Sequence, residues 1–577
     1  MSQAKGRSPL PEKLDFRFAD ATTTGAVSGK RGLQVADWLK GFDPLKGVDL
    51  FGSKSSGSSF DGVSTGWKIA TEISKTVASH KARKKMEEDA ARERERLRET
   101  LENPPPIHGS ARWATATELN QARILQPLSA LDTPASILLG VFPDPELNDR
   151  PVGQIHWNGE GHLITVAPTR SGKSTTMIVP NLLRYRGSCI VLDPKGELYR
   201  DTAGWRSTLG PVYRIAPFGK GSDGFNPLAA IDSFSDARAL ASLLMPPDPK
   251  AQNFFRNDAI AFLTALIMFV VKGAPPERRT MQEIRDITAG PLAGLQQIAE
   301  DMANSGVSAI ANPATTMLGK RREALATLRD TFNSELAIWD DPGISEATRE
   351  GIDFKALKDS PATVYITVPF DKMEAYSSFL KVILASALDA MLRNERQPDI
   401  PVLFVLDEFL SLGPFPQFRD AIRTHAGAGV RLWFFLQDLS TLEEHYPSSW
   451  KTFLNSAVKM FFGTNDAFTG RLVSELLLGE ATVAHITGGV SSSGSTTGSE
   501  FFDKSTTRGH SINANVQFSQ RPLLTATEVV SLLSTTNPDH TRTGIITIGQ
   551  ISRPIKVRLV PWFLGQTCKA RAALPVL

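Results

Sequence analysis

Short apolar runs and longer stretches of helical periodicity alternate along most of this chain. Leu163-Ile164-Thr165-Val166, Cys189-Ile190-Val191-Leu192, Val364-Tyr365-Ile366-Thr367-Val368, Val402 to Leu406 and Leu432 to Leu436 are rich in β-branched and aromatic residues, without the polar alternation of a half-exposed strand. Runs of this kind are buried on both faces, which predicts an α/β fold with a parallel sheet covered by helices. Between Phe225 and Ser360 the alternation stops. Asp236 to Leu244, Asn257 to Lys272 and Lys320 to Trp339 carry helical patterns, and an all-helical insert is the simplest account.

The flanking patterns differ. Residues 1 to 106 mix Gly, Ser and Lys with small apolar clusters around Trp38-Leu39 and Leu50-Phe51, too sparse for a core, so this N-terminal extension is expected to be partly disordered. His80 to Glu99 is a mixed-charge run with many i,i+4 pairs; it reads as a solvated helix that Pro104-Pro105-Pro106 ends. Gly488 to Thr507 is rich in Gly, Ser and Thr, either a mobile loop or a long polar hairpin.

Composition narrows the classes. At 577 residues the chain exceeds one compact core. With 64 Lys+Arg against 61 Asp+Glu the formal charge is only +3, so any nucleic-acid contact has to be local. Cys189 and Cys568 are too few and too far apart for a disulfide framework or a zinc site, which fits a reducing cytoplasm. Met1 to Arg31 lacks the order of regions of a secretory signal. The apolar run Ala259 to Val271 falls short of the ~20 residues a bilayer span needs and reads as a buried helix.

Candidate chemistry sits at strand ends. Ala167-Pro168-Thr169-Arg170-Ser171-Gly172-Lys173-Ser174 lies between the strand ending at Val166 and a helix running through Thr175 to Leu183. A loop from a strand into a helix N-terminus aims backbone amides and the positive end of the helix dipole at one point, the arrangement of a P-loop. Thr169, Arg170, Ser171, Gly172, Lys173, Ser174 and Thr175 are then the candidate nucleotide-binding residues, with Lys173 reaching the β- and γ-phosphates and the Ser174 hydroxyl on Mg²⁺. Ala167 replaces the first glycine of the GxxxxGK[ST] pattern and largely limits that position to negative φ. Val402 to Leu406 ends in Asp407-Glu408, as a Walker B strand requires: Asp407 for Mg²⁺, Glu408 for the attacking water. Gln437, ending the strand Leu432 to Leu436, is either a γ-phosphate sensor or a buried structural glutamine.

Several segments together resemble the coupling proteins of type IV secretion, the TraG/TraD-like conjugative DNA-transfer ATPases. They are His108-Gly109-Ser110-Ala111-Arg112-Trp113, the Pro-Thr-Arg-Ser-Gly-Lys form of the P-loop, Asp193-Pro194-Lys195-Gly196-Glu197-Leu198, Phe225-Asn226-Pro227-Leu228, Leu406-Asp407-Glu408-Phe409, Gly463-Thr464-Asn465-Asp466 and Arg521-Pro522-Leu523-Leu524. The resemblance implies a RecA-like P-loop NTPase domain, residues 107–228 and 356–577, interrupted by an all-α domain at 229–355, with 1–106 as the extension. It further implies ATP and Mg²⁺, a homo-hexamer around a channel, ATP hydrolysis using Lys173, Glu408 and Gln437, and ATP-driven transfer of DNA, single- or double-stranded, bound without sequence preference. Relaxase or relaxosome cargo and secretion-channel components are the implied partners. A trans-acting arginine is expected in the turn after Walker B, at Arg423 or Arg431. Lys320, Arg321 and Arg322 are either a basic contact for DNA or a solvated helix face.

Such proteins usually carry N-terminal transmembrane helices, absent from this sequence. The expectation is a cytoplasmic chain held at the inner face of the bacterial membrane through partners, with Trp38, Leu39, Leu50 and Phe51 docking onto a separate membrane subunit or a channel component. A nucleotide-regulated adaptor without DNA translocation, or a chromosome motor of the FtsK/HerA type, are the alternatives.

Overall fold

The computed structural model describes residues 91–576, apart from 131–133, 247–252, 321, 350 and 498–504, together with 80–81, 84–85 and 88–89. The apolar clusters at Trp38, Leu39, Leu50 and Phe51, most of the extension, and Arg321 lie outside the described residues. Two compact units divide the chain: 1–109 with 482–520, and 110–481 with 521–577.

The strands are β1 (Leu125–Gln126), β2 (Ile137–Asp144), β3 (Arg150–Trp157), β4 (Leu163–Val166), β5 (Cys189–Leu192), β6 (Val212–Ile215), β7 (Thr363–Ile366), β8 (Val402–Leu406), β9 (Val430–Leu436), β10 (Val458–Phe462), β11 (Glu480–Thr497), β12 (Ser505–Pro522), β13 (Arg542–Ile548) and β14 (Ile551–Leu559). Twelve of them form one sheet in the order β1-β3-β2-β14-β13-β10-β4-β9-β8-β5-β7-β6. From β10 to β6 every neighbouring pair is parallel. β13 runs antiparallel to β10 and leads into β14 and the β2–β3 hairpin. The parallel strands therefore finish at a single edge, and β13 starts there.

Alternation across the pleat explains the double-sided burial. Ile164, Val166, Ile190, Leu192, Phe404, Leu406 and Phe434 join one core, while Leu163, Cys189, Val191, Leu403, Val405, Trp433 and Phe435 join the other. Each expected strand is present, β7 one residue early and β9 extended back to Val430. The antiparallel wing was not among those expected. In β2, Gly140 and Pro143 break the apolar run, and β14 alternates polar with apolar positions because one face is less covered.

Between β6 and β7 no strand intervenes among the described residues. Helices Phe234–Leu244, Asn253–Gly273, Met281–Ala289, Leu292–Ala303, Ser308–Leu318 and Arg322–Glu335 fill the interval. Asn253–Gly273 buries Phe262, Leu263, Leu266 and Ile267, with the Phe262 ring 6.1 Å from Phe332. It is a core helix, as the shortness of its apolar run predicts. Among the described residues no helix is long and apolar enough to cross a membrane.

In the other unit, residues 91–102 are helical up to the residue before Asn103 and the proline triplet, as expected. β11 and β12 form a two-stranded sheet, so the described parts of the Gly/Ser/Thr stretch are strand, and 498–504 lie outside the described residues. Within that unit the His108 N–H donates to Thr482 Oγ1 at 2.9 Å.

Candidate nucleotide site

The loop after β4 is built from its own backbone. The Ala167 N–H still donates to the Leu436 carbonyl at 2.9 Å, so the first loop residue remains a sheet residue. Positive φ falls instead on Arg170 (+60°) and Gly172 (+90°), which is why a methyl at 167 is accommodated. Ser171 Oγ donates to the Pro168 carbonyl at 2.6 Å and closes the turn. Thr175 and Thr176 hydroxyls donate to the Gly172 carbonyl at 3.1 and 2.8 Å.

The following helix opens as a π turn, Ser174–Ile178, in which Val179 N–H reaches the Ser174 carbonyl, and continues as Val179–Leu182. Pro180 has no N–H to give and crowds the carbonyl four residues back, so the widened turn has a cause in the sequence.

On the β9 side of the loop three of the expected residues meet. Lys173 Nζ lies 2.7 Å from Glu408 Oε1, with the two side chains 7% and 14% exposed. Gln437 Nε2 donates to Glu408 Oε2 at 3.1 Å. Gln437 is half-buried, and Glu408 is the acid it contacts. Glu408 adopts φ +53°, a left-handed conformation that a non-glycine residue holds only when its surroundings impose it. Phe409, the next residue, supplies that constraint, packing at 5.0 Å from Phe434 and 5.7 Å from Phe453. A cleft of about 280 Å³ opens beside Glu408 and Gln437, lined also by Ser411, Thr441 and His445, with room for water.

Asp407 is buried, and its Oδ1 has no hydrogen-bond partner among the described residues. Burial pushes its carboxyl up to about 7; Lys173 and Lys195 pull it down, while Glu408 and Asp193 push it further up. A buried carboxylate with an unused oxygen is costly unless something positive arrives. The site fits a hard cation: Asp407 and the Ser174 hydroxyl supply oxygen donors. No cluster of three or more His, Cys, Asp or Glu is found among the described residues. Asp193, which accepts the Tyr199 N–H at 2.8 Å, is also raised by burial.

Sequence reasoning left the other flank without roles. Gly463 has φ +70°, and a Cβ there would stand 2.5 Å from Ser171 Cβ, so only glycine lets the end of β10 lie against the loop. The Gly463-Thr464-Asn465-Asp466 string was its signal. Arg542, at the start of β13, donates from Nη2 to the Arg170 carbonyl at 3.4 Å.

The two candidate trans arginines separate. Arg431 is buried, its Nη2 donates to the Asn158 carbonyl at 2.7 Å, and its guanidinium lies over the Trp157 ring, so it is engaged in this chain's core. Arg423 is exposed in the last turn of the helix Pro416–Thr424. In the basic cluster, Lys320 is ion-paired with Asp258.

Comparison with known proteins follows the same lines. VirD4 of Rhizobium radiobacter is 29% identical over 390 residues, covering 64% of this chain and 55% of that protein. The conjugal transfer protein TraG of Escherichia coli is 28% identical over 378 residues, 58% of each. The chain thus spans little more than half the length of the curated relatives it matches. The structure of the plasmid coupling protein TrwB in complex with the non-hydrolysable ATP analogue ADPNP covers 78% of this chain and 93% of that chain, with a TM-score of 0.53 at 16% identity. That likeness shows the fold: a RecA-like P-loop NTPase sheet with an inserted helical segment. Residues 121–576, most of the sequence, match the family described as "Type IV secretory system Conjugative DNA transfer". The chain belongs to that family.

Proposed function

We propose that this chain is an ATP-driven coupling protein that moves DNA into a type IV secretion channel. The observation that carries the reading is the meeting of Lys173, Glu408 and Gln437 beside the unpartnered Asp407 at one sheet edge. Mg²⁺ bound there would neutralise developing phosphate charge, held by Ser174 and Asp407. The division into 107–228 and 356–577 for the nucleotide and 229–355 for cargo belongs to the same reading.

The residues then have separate tasks. In the resting chain Lys173 neutralises Glu408; an arriving triphosphate competes for the lysine and frees the carboxylate. Glu408, oriented by Gln437, is placed to accept a proton from water in the adjoining cleft. Thr169 to Thr175 wrap the phosphates. In a homo-hexamer, Arg423 is the residue free to reach a neighbour's γ-phosphate. DNA, a relaxase or relaxosome, channel components and a membrane-anchoring subunit are the partners in this proposal, and the inner face of the bacterial membrane is its place.

Glu408→Gln tests it. DNA-stimulated hydrolysis is expected to fall by roughly 10²- to 10⁴-fold while nucleotide affinity holds. Hydrolysis at the wild-type rate defeats the assignment. Labelled single strands titrated across a salt series check the substrate, since phosphate contacts weaken as salt rises. No binding at low salt makes the chain an adaptor instead.

A further inference from the structure

We propose that Arg542 is a second cationic contact for the nucleotide, supplied in cis and directed to the phosphate nearest the nucleoside. The inference rests on the nucleotide reading above.

Topology brings it there. β4, which delivers the loop, is flanked by β9 and β10; beyond β9 lies β8 with its two acids, and beyond β10 lies β13. Gly544 of β13 pairs with Phe462 at the end of β10, so the first residue of β13 emerges where the parallel strands finish. That residue is Arg542. Its backbone is fixed on two sides, opposite Leu559 of β14 and bridged to Thr536 across the preceding turn.

The side chain faces the loop. Beyond the 3.4 Å bond to the Arg170 carbonyl, Arg542 Nε lies 4.0 Å from the point where a Cβ on Gly172 would stand, and Thr175 Oγ1 lies 3.2 Å from that same point. The loop therefore separates two unlike flanks, carboxylates toward β8 and a guanidinium toward β13. In a P-loop the lysine takes the terminal phosphates, and the backbone leading into the helix takes the inner ones. With Lys173 pointing at Glu408, the inner phosphate falls on the side of Thr175 and Arg542. Arg542 spends one donor on Arg170, and the rest of its five N–H groups are available to phosphate oxygens. The ligand class is nucleoside di- and triphosphates alike, because both carry that inner phosphate.

Binding of ADP and of a non-hydrolysable ATP analogue to the full chain and to its Arg542→Ala, Arg542→Lys and Lys173→Ala variants is the test. Arg542→Ala is expected to weaken both ligands about equally, on the order of tenfold, with Arg542→Lys in between. Lys173→Ala is expected to cost the triphosphate more than the diphosphate. The gap between wild type and Arg542→Ala has to narrow as salt rises, because a charge contact is screened and a purely structural prop is not. An Arg542→Ala affinity within about twofold of wild type, or a gap indifferent to salt, overturns the proposal and leaves the nucleotide reading standing. If wild type binds neither ligand, the nucleotide reading itself has failed.

Discussion

The sheet edge and the helical segment between β6 and β7 treat charge in opposite ways. In the helices, Arg285 is buried but donates from Nε to Asp340 Oδ1 at 2.7 Å, from Nη2 to Asp340 Oδ2 at 2.6 Å and from Nη1 to Asn333 at 3.1 Å. Arg393, on the helix Ser377–Arg393 that packs below them, is held by Asp236. At the sheet edge Asp407 is as deeply buried and keeps an empty oxygen, and Glu408 sits in an unfavourable backbone conformation. The Arg285 cluster is satisfied within the chain; Asp407 leaves an oxygen open for a ligand. Stability and binding should therefore respond to different substitutions.

The largest separation is expected from pH at Asp407. Its carboxyl, raised to about 7, keeps a proton in the folded chain that the unfolded chain has already lost. The nucleotide-free protein should therefore hold this stability at acid pH and lose it as pH rises through about 7. Metal affinity runs the other way, since a cation needs the ionised carboxylate: it should rise about tenfold per pH unit below 7 and level off above. Thermal melts and Mg²⁺ titrations with a bound analogue, between about pH 5 and 8, measure both slopes. Asp407→Asn should flatten them together; unchanged slopes in that variant would mean the open carboxylate is not the titrating group.

Next comes Arg285→Met, which should lower stability by about 2 kcal/mol through the loss of a two-pronged, charge-assisted pair. Asp340 is 56% exposed and returns to water, which limits the cost. Denaturant melts should show the loss while nucleotide affinity stays at wild type. A parallel loss of affinity would show the two regions to be coupled.

The sequence revealed the two acids and the loop because each is a local signal, a both-faces-buried strand running into a fixed string. It also allowed Lys173, Glu408 and Gln437 to be joined, since parallel strands that share an edge bring their ends together. What it concealed is long-range. Arg431 looked like a candidate for a neighbouring subunit because it lies in the segment after Walker B, yet Trp157 and the Asn158 carbonyl, far back in the chain, claim it. Arg542 carried no pattern at all, because its meaning depends on β13 lying next to β10 in the reverse sense. The antiparallel wing, with Gly140, Pro143 and Pro554 inside its strands, gave weak strand signals for the same reason: its register is set by partners, not by its own run.

Lys320 gives the smallest effect and a sharp boundary to the comparison. In the sequence it heads a basic cluster that could have met DNA, but in the fold its ammonium pairs with Asp258, and both side chains are about a quarter exposed. A pair this wet is worth less than about 1 kcal/mol, and its net charge toward an approaching phosphate is near zero. Lys320→Ala should leave stability within that margin and should leave both the affinity for single strands and its salt slope unchanged, because no phosphate contact is removed. A fall in the slope by close to one unit would reverse the comparison: the helical segment would then hold charge open for a ligand as the sheet edge does, with Asp258 a partner that DNA displaces.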